Sequence, residues 1–519
     1  MANKRLFRSY SSYNNVPATN TTNEAGGVAY SLEATHALAQ YAATGCLNGT
    51  FYAGASQQLD KVLELCAQVD PSFIAKTAIY ARERGYMKDM PALLVAHLAA
   101  HDGALCERVF DRVIDNGKLL RNFVQIIRSG VTGRRSLGSR PKRLVQGWLN
   151  KRSHDAIFRA SVGNDPSLAD ILKMVHPKPK DAARRALYGY LIGRPYDVDA
   201  LPQTVKDYEA YKADQSNPVP KVSFQMLTSL TLDEAAWRSI AENASWQMTR
   251  MNLNTFARHG VFKHRALTRA IARRLSDPEQ IRRARVFPYQ LMVAHTQVSS
   301  DVPRVIKTAL HEAMEVAISN VPRVDGKAYV LPDISGSMHC PVTGYRPGAS
   351  SAVRCIDVAA LIGAAFLRTN PSAEIIPFSH RVNKCALKAR DSVLANAKKL
   401  TSLPSGGTDC AAPLRHLNSR RAKGDLVVFV SDNESWIDRR IRYRGTAVME
   451  EWTKYKRRNP QAKLVCIDIQ PYGSTQAPER DDILNIGGFS DAVFNIIAAF
   501  AGGTLHPDHW VGVINGIEL

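Results

Sequence analysis

The spacing of apolar residues changes once along this chain, and that change limits what the chain can fold into. From Tyr30 to about Asn320, apolar residues recur at intervals of three and four. This is the period of one face of an α-helix. It predicts amphipathic helices at 59–69, 71–84, 90–100, 119–127, 144–151, 168–175, 182–192, 254–262 and 305–318. Some ~290 residues of short helices exceed what one simple bundle can hold. Stacked antiparallel helix pairs, an α-solenoid, give each helix a neighbour on which to bury its apolar stripe.

At about Val324 the pattern turns to alternation. Short apolar runs at 328–332, 375–378, 426–430 and 464–467 read as buried strands. Helical segments at 352–367, 393–400, 411–420, 447–455 and 492–500 separate or follow them. Strands alternating with helices predict a parallel sheet covered on both faces. The expected organisation is α + α/β: a flexible N-terminus (1–25), a helical domain (26–322), an α/β domain (323–503), and a C-terminal tail or return strand (504–519).

Charge narrows the function classes. The 519 residues carry 68 Lys+Arg against 47 Asp+Glu, a net charge of +21. Such a field attracts polyanions, and nucleic acid is the expected partner. No basic amphipathic anchor stands out, so no membrane partner is expected. Residues 1–20 are polar and lack the apolar stretch of a signal peptide. No run of ~20 apolar residues marks a membrane span. Cys46, Cys66, Cys106, Cys340, Cys355, Cys385, Cys410 and Cys466 are scattered, with no Cys-x-x-Cys pair. That usage suits a reducing, cytoplasmic setting and argues against a disulfide framework or a zinc site.

Asp333-Ile334-Ser335-Gly336-Ser337 follows the first predicted strand. Ligand sites in such sheets lie beyond the carboxyl ends of the strands. The spacing places one carboxylate and two hydroxyls on a tight turn, hard oxygen donors suited to Mg²⁺, Ca²⁺ or Mn²⁺. The same serines could instead cap a following helix. Gly406-Gly407-Thr408-Asp409 forms a Gly-rich loop before a helix, and Ser431-Asp432 ends a strong strand. These three segments resemble the metal-ion-dependent adhesion site of von Willebrand factor type A (vWA) domains. The resemblance implies Asp333, Ser335, Ser337, Thr408 and Asp432 as ligands of a divalent cation, Mg²⁺ first. It also implies a site that binds a partner's carboxylate and does not hydrolyse.

Between Lys118 and His154 there are ten Lys/Arg and no Asp or Glu. A solvated helix face ordinarily interleaves acids, so this run points to phosphate binding. Arg134 and Arg135, in a Gly-rich loop, can offer guanidinium forks to phosphates; Arg140, Lys142 and Arg143 follow. A second cluster holds Lys173, His176, Lys178 and Lys180, with Arg184 and Arg185 close by. A third spans Lys263 to Arg285.

The order of these features resembles the Ro autoantigen family, whose helical half is the TROVE module. Gly49-Thr50-Phe51-Tyr52, the basic stretch 140–150 with Trp148, and Met174-Val175-His176-Pro177-Lys178-Pro179 resemble that family's segments. Gly406-Gly407-Thr408-Asp409-Cys410 and Ser431-Asp432-Asn433-Glu434 are similar to its type A motifs. The resemblance implies a HEAT-like α-helical solenoid closed into a monomeric ring by a Rossmann-like type A domain. It implies small non-coding, Y-type RNA on an outer basic surface and single-stranded 3′ ends of misfolded RNA in a central hole. It further implies work with an exoribonuclease in RNA quality control or processing. Lys142, Arg143 and His176 match family positions for Y RNA contact; Arg140, Lys178 and Lys180 join them on charge and proximity. Pro141 and a shorter spacing to Trp148 depart from the family pattern.

No nuclease site is evident: the helical half has no tight carboxylate cluster, and there is no Walker-type loop. The expectation is a binding protein and not an enzyme. The competing readings are a metal-dependent protein–protein adaptor and, more remotely, a metal-dependent RNA hydrolase.

Overall fold

The computed structural model describes residues 16–519 except 46, 285, 287, 319–320, 322, 346–352, 437–444, 471 and 506–507, and the side chain of Asp491. Helices follow one another from Ala34–Thr44 to Arg304–Ala317. The helices at Leu168–Val175 and Ala182–Ile192 coincide with the periodicity. The segment expected at 254–262 is instead a helix, Leu253–Arg258, and a 3₁₀ turn, Val261–Lys263. Gly260, in a left-handed conformation (φ 75°), interrupts it. The helix expected from 144 begins at Ser139. Pro141 fits there because the first turn of a helix needs no donor from it.

Strands are numbered in chain order: β1 Thr21–Thr22, β2 Val28–Ser31, β3 Ala328–Pro332, β4 Glu374–Ile375, β5 Leu426–Ser431, β6 Lys463–Asp468, β7 Ser474–Thr475 and β8 Ile483–Gly487. The main sheet has the order β4-β3-β5-β6-β8, every pair parallel. Alternate residues of its strands enter two cores. Tyr329, Leu331, Val427, Phe429, Leu464 and Cys466 pack with Trp452 and Tyr455 of the Ala447–Arg458 helix. Val330, Val428, Val465 and Ile467 join a second core that runs on into the helical domain.

Both ends of the helical array are fixed to the α/β domain. At the start, the Ala34–Thr44 helix packs on β8, and His36 Nε2 lies 3.1 Å from the Asn485 carbonyl oxygen. At the end, Tyr289 meets Phe489 edge to face at 5.3 Å, and Glu315 pairs with Arg368 at 3.3 Å. The chain therefore closes a circuit of contacts.

Two expectations at the ends need correction. Residues 21–31, partly placed in a flexible N-terminus, form a β1–β2 hairpin, and β2 pairs antiparallel with β7. The closing segment is neither tail nor strand; it is a helix, His509–Asn515, whose Trp510 is buried against Tyr80 and His36. The seven described cysteines are free thiols, and Cys46 lies outside the described residues. Among the described residues, no helix is long and apolar enough to cross a membrane.

Candidate cation site and basic surface

From β3 the chain crosses to β4 on one side, then returns to β5 on the other. The carboxyl ends of β3 and β5 thus flank a topological switch point, where parallel sheets open a crevice. Asp333 follows β3, and Asp432 follows β5. The Asp333 carboxylate accepts the Ser335 N–H at 2.8 Å and the Ser431 hydroxyl at 2.6 Å. Ser335 Oγ and Ser337 Oγ are 3.3 Å apart, and Ser337 lies beside the Asp432 carboxylate. The Thr408 loop is drawn in by Gly336 N–H donating to the Gly406 carbonyl (2.9 Å) and Trp436 N–H donating to the Thr408 carbonyl (3.3 Å).

All five predicted ligand residues are at most 3% exposed. Burial, and then the charge of Asp432, push the Asp333 carboxyl well above the ordinary carboxylate range; burial also raises Asp432. Among the described residues neither carboxylate has an ion-pair partner. Two buried like charges without a counter-charge are unfavourable. A divalent cation between them would neutralise both, and the neighbouring hydroxyls would supply further oxygens. The donor set therefore fits such an ion. It comprises two carboxylates and three hydroxyls; among the described residues no group of three or more His, Cys, Asp and Glu side chains is arranged to hold a metal.

Sequence reasoning gave no individual role to the residues that brace this site. Asn433 turns the chain with φ 57°, a left-handed conformation that Asn tolerates. Its amide donates to Asp468, whose other oxygen accepts from Gln40 Nε2 at 3.1 Å. Tyr52, from the helical domain, stands beside Ser337. Burial and the charge of Asp432 raise its phenol.

The basic residues divide by their partners. One group turns inward onto helix carboxyl ends, where carbonyls lack intrahelical donors and carry negative partial charge. Arg134 Nη1 donates to Ala99 O at 2.9 Å, and Arg121 Nη1 to Ala160 O at 2.8 Å. Arg274 donates to Ala241 O at 2.8 Å and Glu242 O at 2.6 Å. Arg184, fully buried, donates to Leu149 O and Arg152 O. A second group is paired: Arg140 with Glu107 at 3.9 Å, Lys151 with Asp111, and Lys263 with Glu234 at 3.2 Å. The run 118–154 is free of acids in sequence, yet the Gly103–Val113 helix brings Glu107 and Asp111 against it. Arg134 and Arg140 therefore carry structural bonds that the sequence did not reveal. Arg285 of the third cluster lies outside the described residues.

A third group remains. Arg135, Lys142, Arg143, His176, Lys178 and Lys180 make no ion pair among the described residues, and all but half-buried Lys142 are exposed. The fold joins their two sequence clusters. Gln146 Nε2 donates to the Val175 carbonyl, and Asn150 Nδ2 to the Lys178 carbonyl at 3.0 Å. Arg143, Gln146 and Asn150 share one face of the Ser139–Lys151 helix, at spacings of three and four. His176, in a left-handed conformation (φ 48°), ends its helix and directs the 177–180 segment along that face.

A family model described as the Ro60 vWA domain matches residues 327–501, and one described as the TROVE domain matches 217–381. The "RNA-binding protein RO60" of Deinococcus radiodurans is 26% identical, over 93% of this chain and 95% of its own. The Caenorhabditis elegans protein of the same name is 25% identical, over 45% of this chain and 37% of its own. The crystal structure of the Deinococcus radiodurans Ro (RSR) protein superposes with a TM-score of 0.63 at 24% identity, covering 91% of this chain and all of that one. That likeness supports the pairing of a helical array with a type A domain.

Proposed function

We propose that this chain, which belongs to the Ro family by its TROVE and Ro60 vWA domains, binds structured RNA on the face shared by Arg135, Lys142, Arg143, His176, Lys178 and Lys180. The observation that supports this reading is the Gln146 and Asn150 bonding, which brings the segment holding Lys142 and Arg143 against the one holding His176 and Lys178. Cations spaced along two adjoining segments suit the phosphates of a duplex, which proteins read by shape and backbone contact. The RNA-binding names of its relatives point the same way.

The finer reading is that the RNA is a small non-coding, Y-type RNA. Single-stranded 3′ ends of misfolded RNA enter the hole that a closed circuit of helices and type A domain would surround. The protein then presents RNA to an exoribonuclease in cytoplasmic quality control or processing and cuts nothing itself. Asp333, Ser335, Ser337, Thr408 and Asp432 hold a divalent cation, Mg²⁺ in the first instance, which serves binding and not hydrolysis.

Binding of a stem-loop with a 3′ single-stranded tail, measured by fluorescence anisotropy, tests the RNA reading. Incubation of that RNA with Mg²⁺ and the protein should leave it intact; cleavage lost in Asp333→Ala would establish a hydrolase instead.

A further inference from the structure

Residues 48–53, between the first two described helices of the array, have no part in the RNA reading, yet they lie across the loop that carries the cation motif. Asn48 Nδ2 donates to the Thr343 carbonyl at 2.8 Å, and Tyr345 N–H donates to the Gly49 carbonyl at 2.8 Å. The Phe51 backbone faces the Cys340 sulfur, and Thr50 lies beside the Tyr472 phenol. The Tyr52 ring meets Tyr472 edge to face at 5.6 Å, and its phenol stands beside Ser337.

The approach of the two chains is close. A Cβ on Gly344, whose φ is +73°, would lie 2.7 Å from Asn48 Cβ and 2.8 Å from the Gly49 carbonyl oxygen. The strap is itself held in shape: Thr50 N–H donates to the Ala53 carbonyl at 2.8 Å, and Gln58 Nε2 to Thr50 Oγ1 at 3.3 Å. A second N-terminal segment meets the other motif loop, where Glu434 accepts from Ala25 N–H at 3.0 Å and Asn23 Nδ2 donates to the Ser435 carbonyl at 2.8 Å.

We propose that the 48–53 strap caps the cation site in cis, with the Tyr52 hydroxyl beside Ser337 guarding the approach that a partner's carboxylate would need. The proposal rests on the reading that Asp333, Ser335, Ser337, Thr408 and Asp432 bind a divalent cation. Its consequence is that the ion acts as an internal clasp. Loading orders Ser337, Ser337 holds Tyr52, and Tyr52 fixes the start of the helical array to the α/β domain. An open adhesion-type site would have the reverse property, ready for an external acid and indifferent to the strap.

The test uses the full chain with Mn²⁺ as the cation, followed by electron paramagnetic resonance, and acetate as the carboxylate probe. Wild type, Tyr52→Phe and Tyr52→Ala are compared, with circular dichroism confirming that each is folded. Wild type should bind Mn²⁺ with an affinity that acetate does not change. Tyr52→Ala should gain acetate dependence, with Mn²⁺ affinity tightening about 2- to 10-fold, the value of one hydrogen-bond-sized contact. In hydrogen exchange, Mg²⁺ should slow residues 48–54 in wild type and lose that effect in Tyr52→Phe. Acetate tightening Mn²⁺ on wild type as much as on Tyr52→Ala would overturn the cap. So would exchange at 48–54 that ignores bound cation. Absence of Mn²⁺ binding in wild type and both variants would instead overturn the cation reading beneath it.

Discussion

Replacing Arg184 should cost the helical domain more stability than replacing any arginine on the proposed RNA face. Arg184 is 0% exposed, and its guanidinium donates to the Leu149 and Arg152 carbonyls at the end of the Ser139–Lys151 helix. It also lies 5.7 Å from the centre of the Tyr188 ring. Hydrogen bonds from a charged group contribute ~1.5–3 kcal/mol each, so two give a gross loss of ~3–6 kcal/mol. Removing the guanidinium also removes its desolvation cost and its unpartnered Nε. The expected net loss for Arg184→Met, which keeps an apolar stem in place, is ~3 kcal/mol. Urea denaturation followed by tryptophan fluorescence can read this, because Trp148 is buried in the same helix. Arg143→Met, on the exposed side, should stay within ~0.5 kcal/mol of wild type. A loss below ~1 kcal/mol for Arg184→Met would refute the argument that inward arginines hold this array together.

Other outcomes follow from the same geometry. Asp432→Asn should abolish any rise in melting temperature on adding Mg²⁺ and leave RNA affinity within about 2-fold, because the basic patch lies on other elements; a loss of RNA affinity would tie the two sites together. His36 is buried, and burial lowers its pKa to about 4. Its native form is thus neutral where the unfolded chain takes up a proton, so stability is whole above pH ~6.5 and falls as pH drops toward 4, by ~2–3 kcal/mol. His36→Gln should flatten that part of a pH–stability profile, and an unchanged slope would assign the loss elsewhere. Gly487→Ala should destabilise the joint between the domains, because a Cβ would sit 2.1 Å from Gln40 Oε1 and 3.1 Å from its Cα; thermal melting of wild type and variant checks it.

The long periodic helices and the central strands were legible because burial alone sets their pattern. β5 and the Leu168–Val175 helix bury the residues that their apolar spacing marks. β8 escaped because Asn485 breaks its apolar run, and that Asn is buried with hydrogen bonds to Thr475, Ala477 and Glu479. β4 is only two residues long, although Phe378 N–H still donates to Pro332 O at 3.1 Å and carries the pairing onward. The turns carrying Asp333, Ser335, Ser337 and Asp432 were readable because they lie at fixed offsets after two strands. Tyr52 had no assigned role, because a contact between residues 52 and 337 leaves no local mark. The basic surface was half legible. Charge counting cannot distinguish Arg134, turned onto a helix end, from Arg135, turned to solvent. Nor does an acid-free run reveal the acids that a neighbouring helix brings.

The most direct test of RNA recognition is affinity across a salt series for a stem-loop RNA with a 3′ tail. Wild type is compared with Lys142→Ala/Arg143→Ala/Lys178→Ala/Lys180→Ala, all four cations without ion pairs among the described residues. Wild type should bind, with log affinity falling against log salt by ~0.7–0.9 per phosphate contact. The variant should bind at least ~10-fold more weakly with a shallower slope, as the loss of several phosphate contacts requires. Equal affinity and equal slope for the two proteins would contradict the account and place the RNA elsewhere on the molecule.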